Sequence, residues 1–149
     1  MRTIILTINI FFIFCFNLTI SDASEDPMIC FDNVMKYNMC EKARNLQEEL
    51  APQLPQHLSK TLILRSVSTY NNIVILNALL LYNREYLEET LKTYNRTMSS
   101  INAQMNDMTK KTVCSLPFTN TFVVLGGEIM FNYNFQDGES YLQIEVNEC

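Results

Sequence analysis

Chemistry in this chain would have to run through very few residues. His57, in Pro55-Gln56-His57-Leu58, is the single histidine and so the one imidazole available as a general base; the nearest hydroxyl along the chain is Ser59. Any Ser-His-Asp or Cys-His set must include it, and no Gly-x-Ser-x-Gly elbow presents a nucleophile. The carboxylate pairs Glu48-Glu49 and Glu88-Glu89 are neighbours in sequence, and adjacent residues on a helix point about 100° apart. They read as solvated, although two acids distant in the chain could still make a glycosidase. Gly126, Gly127 and Gly138 read as a helix stop and a hairpin turn rather than a phosphate cradle. The sequence assigns no catalytic residue, no metal site and no cofactor.

The cysteines are the more informative set. Five are present: Cys15 in the apolar leader, then Cys30, Cys40, Cys114 and Cys149. Four widely spaced cysteines in an oxidising compartment read as two disulfides, with three connectivities open. Zinc competes poorly, since no Cys-x-x-Cys pair exists and His57 is far from every cysteine in sequence. The pairing we favour joins Cys114 to Cys149 and Cys30 to Cys40. The first tie closes the segment 114–149 and is worth roughly 4 kcal/mol in the chain-entropy model. The second carries a condition, because ten residues of unbroken helix would hold the two Cα atoms ~15 Å apart. The chain must therefore bend between them, with Tyr37-Asn38 the natural place, or the pairing is different.

An oxidising compartment fits the start of the chain. Arg2, the apolar run from Ile4 to Ile20 and the small residues of Ser21-Asp22-Ala23-Ser24 have the order of a secretory signal cut after Ala23. A retained anchor is the alternative, since the run approaches the roughly 18 to 20 apolar residues that span a bilayer. Thr7, Asn9 and Asn17 interrupt that run, and no basic cluster follows it. Cys15 follows Phe14, where a lipidation box needs a small residue. The expectation is a signal over 1–23 and one domain over 24–149, secreted or periplasmic. The leader takes with it one base and one acid, so the mature charge stays at −5. A mildly acidic chain without a Lys/Arg patch lacks the footprint for nucleic acid or an anionic membrane.

The elements that would position any site follow from punctuation and periodicity. Asp26-Pro27 starts a helix that Pro52 and Pro55 end near Leu50. A loop over 52–60 precedes a hairpin over 61–82 turning at Asn71-Asn72. Its second strand is apolar on both faces, which puts it inside a sheet. Asn83 caps a long helix whose apolar stripe is Leu87, Leu91, Tyr94, Met98, Ile101, Met105 and Met108. The sequon Asn95-Arg96-Thr97, a glycosylation acceptor in a eukaryotic host, falls within that helix. Ser115-Leu116-Pro117 opens a shorter helix that Gly126-Gly127 stops, with a strand as the alternative given the β-branched Thr121, Val123 and Val124. A second hairpin then runs from Ile129 to Val146 and turns at Asp137-Gly138. The fold class expected is α+β in the order αββααββ: a four-stranded antiparallel sheet with helices packed on one face.

Cys114-Ser-Leu-Pro, Gly126-Gly127, Tyr133, Asp137-Gly138 and the final Cys149 together resemble the C-terminal half of small exported bacterial proteins that end in a short helix and a hairpin bracketed by two cysteines. The resemblance covers 114–149 and implies the Cys114–Cys149 bond. It is also similar to the α+β class of type II secretion pilotins, lipoproteins that bind a secretin segment. The chain departs from that class in lacking a usable lipid-anchor cysteine.

On the last hairpin, Phe131, Tyr133 and Phe135 share the parity of Ile129 and belong to the core. The other parity offers neutral amides, Asn132 and Asn134 with Gln143, as an interaction surface able to join a partner's sheet edge. The functional expectation is an exported, non-catalytic protein-binding or adaptor protein with an unspecified protein partner. A secreted effector or toxin with hydrolase activity is the alternative.

Overall fold

The computed structural model describes Cys30 and residues 37–149. The signal segment and the helix start at Asp26-Pro27 lie outside the described residues. Asn38 leaves the helical conformation (φ −80°, ψ 97°) and caps α1 (Met39–Leu50), its Oδ1 accepting from the Glu41 N–H at 3.1 Å. Cys30 and Cys40 form a disulfide with their Cα atoms 5.0 Å apart, a separation that ten residues of unbroken helix could not give. A 3-10 turn at Ala51–Gln53, with Pro52 in it, ends α1. There follow β1 (Gln56–His57), β2 (Leu62–Tyr70), β3 (Ile73–Leu80), α2 (Arg84–Thr93), α3 (Met98–Ser115), α4 (Pro117–Val124), β4 (Glu128–Phe135) and β5 (Ser140–Val146). Among the described residues, no helix is long and apolar enough to cross a membrane.

The fold is α+β, but its sheet differs from the expected one in two ways. It has five strands in the order β1-β2-β3-β4-β5, and it is mixed: β3 and β4 run parallel while the other pairs are antiparallel. Both hairpins form, with Asn71 at φ 53° in one turn and Gly138 at φ 89° in the other. Their mutual orientation is set by the connection. Three helices carry the chain from the end of β3 back to the level of its start, and a returning crossover delivers β4 parallel to β3. The extra strand comes from the expected 52–60 loop, where Gln56 and His57 pair with Leu64 and Ile63.

The expected long helix is also broken. Asn95 adopts φ 50°, which ends α2, and the Thr97 hydroxyl accepts from Ser100 N–H to start α3. The sequon therefore lies in an exposed turn rather than inside a helix. Of the predicted stripe, Leu87 and Leu91 are buried, whereas Tyr94 and Met108 are 72% and 58% exposed. Thr109 and Val113 take the buried positions on α3 instead.

The core lies between one face of the sheet and the helices. Val74, Leu76, Ala78, Ile129, Tyr133, Ile144 and Val146 point inward from the strands against Met39, Ala43 and Leu46 of α1, Val113 of α3 and Phe122 and Val123 of α4. A second cluster joins Leu87 and Leu91 of α2 to Leu80 and Phe135. Thr109 and Tyr133 share a buried hydrogen bond of 2.9 Å, and burial pushes the Tyr133 phenol above its ordinary value although that bond opposes the shift. Gly127 has no room for a side chain, since a Cβ there would overlap the Phe122 ring. Cys114, near the end of α3, is disulfide-bonded to Cys149, with the Cα atoms 5.5 Å apart. The bond fastens the end of the chain beyond β5 to the helical layer.

Candidate protein-binding surfaces

The inward residues of the strands leave the opposite parity on the other face of the sheet, which no helix covers among the described residues. Register places Ser66 of β2, Asn77 of β3, Asn132 of β4 and Gln143 of β5 in one row across four strands. Asn132 Nδ2 donates to Asn77 Oδ1 at 3.3 Å, and Asn77 Nδ2 donates to Ser66 Oγ at 3.1 Å. Gln143 shares the row but turns along its own strand, its Nε2 donating to Glu145 Oε1 at 2.8 Å. Asn134 lies two residues further along β4, level with Leu79. The three amides expected to form a surface thus sit on one face.

Their role as an augmenting edge needs correction. β4 lies between β3 and β5, so Asn132 and Asn134 are on an interior strand, and only Gln143 belongs to an edge strand. The parallel β3–β4 pairing is the cause, because it buries the β4 edge that an isolated hairpin would expose. What this face offers a partner is side chains rather than backbone.

At the Ile73 end of the face, burial raises the Glu128 carboxyl above the ordinary carboxylate value, and the Glu145 charge adds to the effect. His57 projects from β1, exposed, and among the described residues it makes no hydrogen bond or ion pair to a carboxylate or hydroxyl. The acids of Glu48-Glu49 and Glu88-Glu89 all lie on helix surfaces, with at most partial burial.

A second surface was not visible in the sequence. Where the chain folds back at Tyr94–Thr97, α2 and α3 form the walls of an open groove of about 550 Å³. Leu91, Ile101 and Met105 line its apolar wall, Tyr94 and Met108 stand at its exposed margins, and among the described residues Arg96 is the one charged side chain on it. Arg96 Nη2 is held by Gln104 Oε1 at 2.8 Å. The helical stripe in the sequence names most of these residues, but an unbroken helix would have placed them against the sheet. The signal that could have revealed the groove is Asn95, a residue that tolerates the left-handed conformation, directly before Thr97, a competent N-cap.

No family model matches the chain, and no curated protein matches it. Solved structures do. A candidate secreted protein of Pseudomonas aeruginosa superposes with a TM-score of 0.55 at 11% identity, over 73% of this chain and 88% of that one. The type II secretion pilotin EpsS of Vibrio vulnificus gives 0.56 at 13% identity, over 72% and 86%. The pilotin AspS of Vibrio cholerae gives 0.56 at 14% identity, over 74% and 90%. The resemblance read from residues 114–149 therefore extends, as a likeness of fold, to nearly three quarters of the chain.

Proposed function

We propose that this chain is exported by a signal over residues 1–23, that the part from residue 24 onward works in the periplasm or outside the cell, and that it is a non-catalytic adaptor holding an amphipathic segment of a protein partner in the groove between α2 and α3. The observation that carries this reading is the groove itself. It exposes Tyr94 and Met108 to water beside an apolar wall, and methionine adapts its shape to whatever apolar side chains enter. Arg96 at the margin favours a segment with a carboxylate on its polar side. Two disulfides support work in an oxidising compartment, and the fold shared with two pilotins and a candidate secreted protein supports the same setting.

The test is photo-crosslinking in the native host from a probe placed at Gln104, with capture of the same partner then compared in Tyr94→Asp and Met108→Asp. Both residues are exposed, so the variants should melt with the parent while capture falls by about tenfold or more, in the range seen for contact hot spots. Undiminished capture by both variants would remove the groove from the account.

A further inference from the structure

On the face of the sheet opposite the helices, which nothing among the described residues covers, and away from the α2–α3 groove, lies a depression of about 480 Å³. Its polar side chains are Arg65, Ser66, Asn77, Asn134 and Gln136, with Gly138 of the β4–β5 turn at one side and no acid among its lining residues. Two irregularities in the sheet border this one spot. The β2–β3 register shifts between Leu64 and Ser66, so that both Arg65 and Ser66 are exposed where strict alternation would send one of them inward. The β4–β5 register shifts between Tyr133 and Asn134, beside the same depression. Bulges bend a strand and re-aim the side chains next to them, and they concentrate at functional sites.

The donors assembled there are not consumed. Asn77 is engaged with Ser66 and Asn132, but among the described residues the side chains of Arg65, Asn134 and Gln136 make no hydrogen bond or ion pair. Asp137, between Gln136 and Gly138 in sequence, is not among the lining residues and its Oδ1 accepts from the Glu139 N–H at 3.0 Å, while the Glu139 carboxylate is held by Arg84 Nε at 2.7 Å. An unpaired guanidinium flanked by two free amides, on a protein of net charge −5, is suited to an oxyanion with polar surroundings: the guanidinium fork accepts a carboxylate at two points, and the amides serve neighbouring hydroxyl or amide groups. We infer that this depression binds a small hydrophilic carboxylate. Two sources share that chemistry, the carboxyl end of a peptide and an acidic sugar.

The experiment follows backbone amide shifts of the oxidised protein during titration with acetyl-glycyl-glycine and, separately, with galacturonate. Acetyl-glycyl-glycinamide and galactose are the uncharged counterparts. Because the depression is open, the dissociation constant expected is on the order of 1 mM. Saturable shifts at Arg65, Ser66, Asn134 and Gly138 with either acid support the inference, and the acid that produces them identifies the source. The uncharged counterpart should bind about tenfold more weakly, and Arg65→Gln should cost the acid a similar factor without changing the melting temperature. No saturable shift with either acid, equal binding of the uncharged partner, or full binding by Arg65→Gln would each overturn it.

Discussion

Replacing Cys149 with alanine should remove about 4 kcal/mol of stability, which is a large part of the total for a domain of this size. The disulfide to Cys114 closes a 35-residue loop. With that length the chain-entropy relation gives ~3.8 kcal/mol at 25 °C, against ~2.7 kcal/mol for the ten-residue Cys30–Cys40 loop. The native side gives little back, because among the described residues the tail beyond β5 has only the exposed Lys110–Glu148 pair, at 2.9 Å, as a further ion-pair tie. The segment within the loop supplies Phe122, Val123, Ile129, Tyr133, Ile144 and Val146 to the core, so freeing the chain end widens the unfolded ensemble of half the packing layer. The assay is equilibrium urea unfolding of the oxidised protein, with Cys114→Ala and the double variant alongside. All three variants should lose the same amount, since all break the same covalent tie. The refolding limb of the kinetic profile should slow, since the cost falls on the unfolded state. A loss below about 1 kcal/mol, set against the 2–5 kcal/mol usual for native disulfides of small exported domains, would refute the reasoning.

Thr109→Val should cost about 1–3 kcal/mol by stranding the buried Tyr133 hydroxyl, while pairing it with Tyr133→Phe should recover most of that loss in thermal melts. Glu128→Gln should stabilise the domain slightly at neutral pH, by no more than about 0.5 kcal/mol. The sign follows from the raised folded carboxyl: its contribution is full below the ordinary carboxylate value and falls as pH rises through the folded one, so parent and variant should melt alike in acid and diverge above it. Intact mass of the protein recovered from its native host should begin at Ser24 with both disulfides formed; a mass retaining residues 1–23 would contradict export by cleavage.

Both hairpins were legible because their turns are local chemistry. Asn71 and Gly138 occupy positive-φ positions, and the alternation from Ile129 to Phe135 marks a core face whatever lies beside it. The short helix from Pro117 was readable from the proline in its first turn and the glycines after it, although its β-branched residues also allowed a strand and no side chain caps its start. The break at Asn95 was not, because a periodic stripe continues in register across it and the left-handed turn is only permitted there, not demanded. The candidate groove depended on that break and shared its invisibility. Asn132, Asn134 and Gln143 share a face because parity is local. Whether their strand was an edge was beyond local reading.

The amino-acid sequence by itself determined the two hairpins, the parity of their faces and the sulfur atoms available for bonding, because each depends on residues within a few positions of one another. Only the tertiary structure decided that β3 and β4 run parallel, that β4 is interior, and that Arg65, Asn134 and Gln136 line one depression. Those outcomes turn on how a 47-residue connection returns across the sheet, from Leu80 to Glu128. No short window of sequence encodes a direction that depends on where the whole helical layer packs.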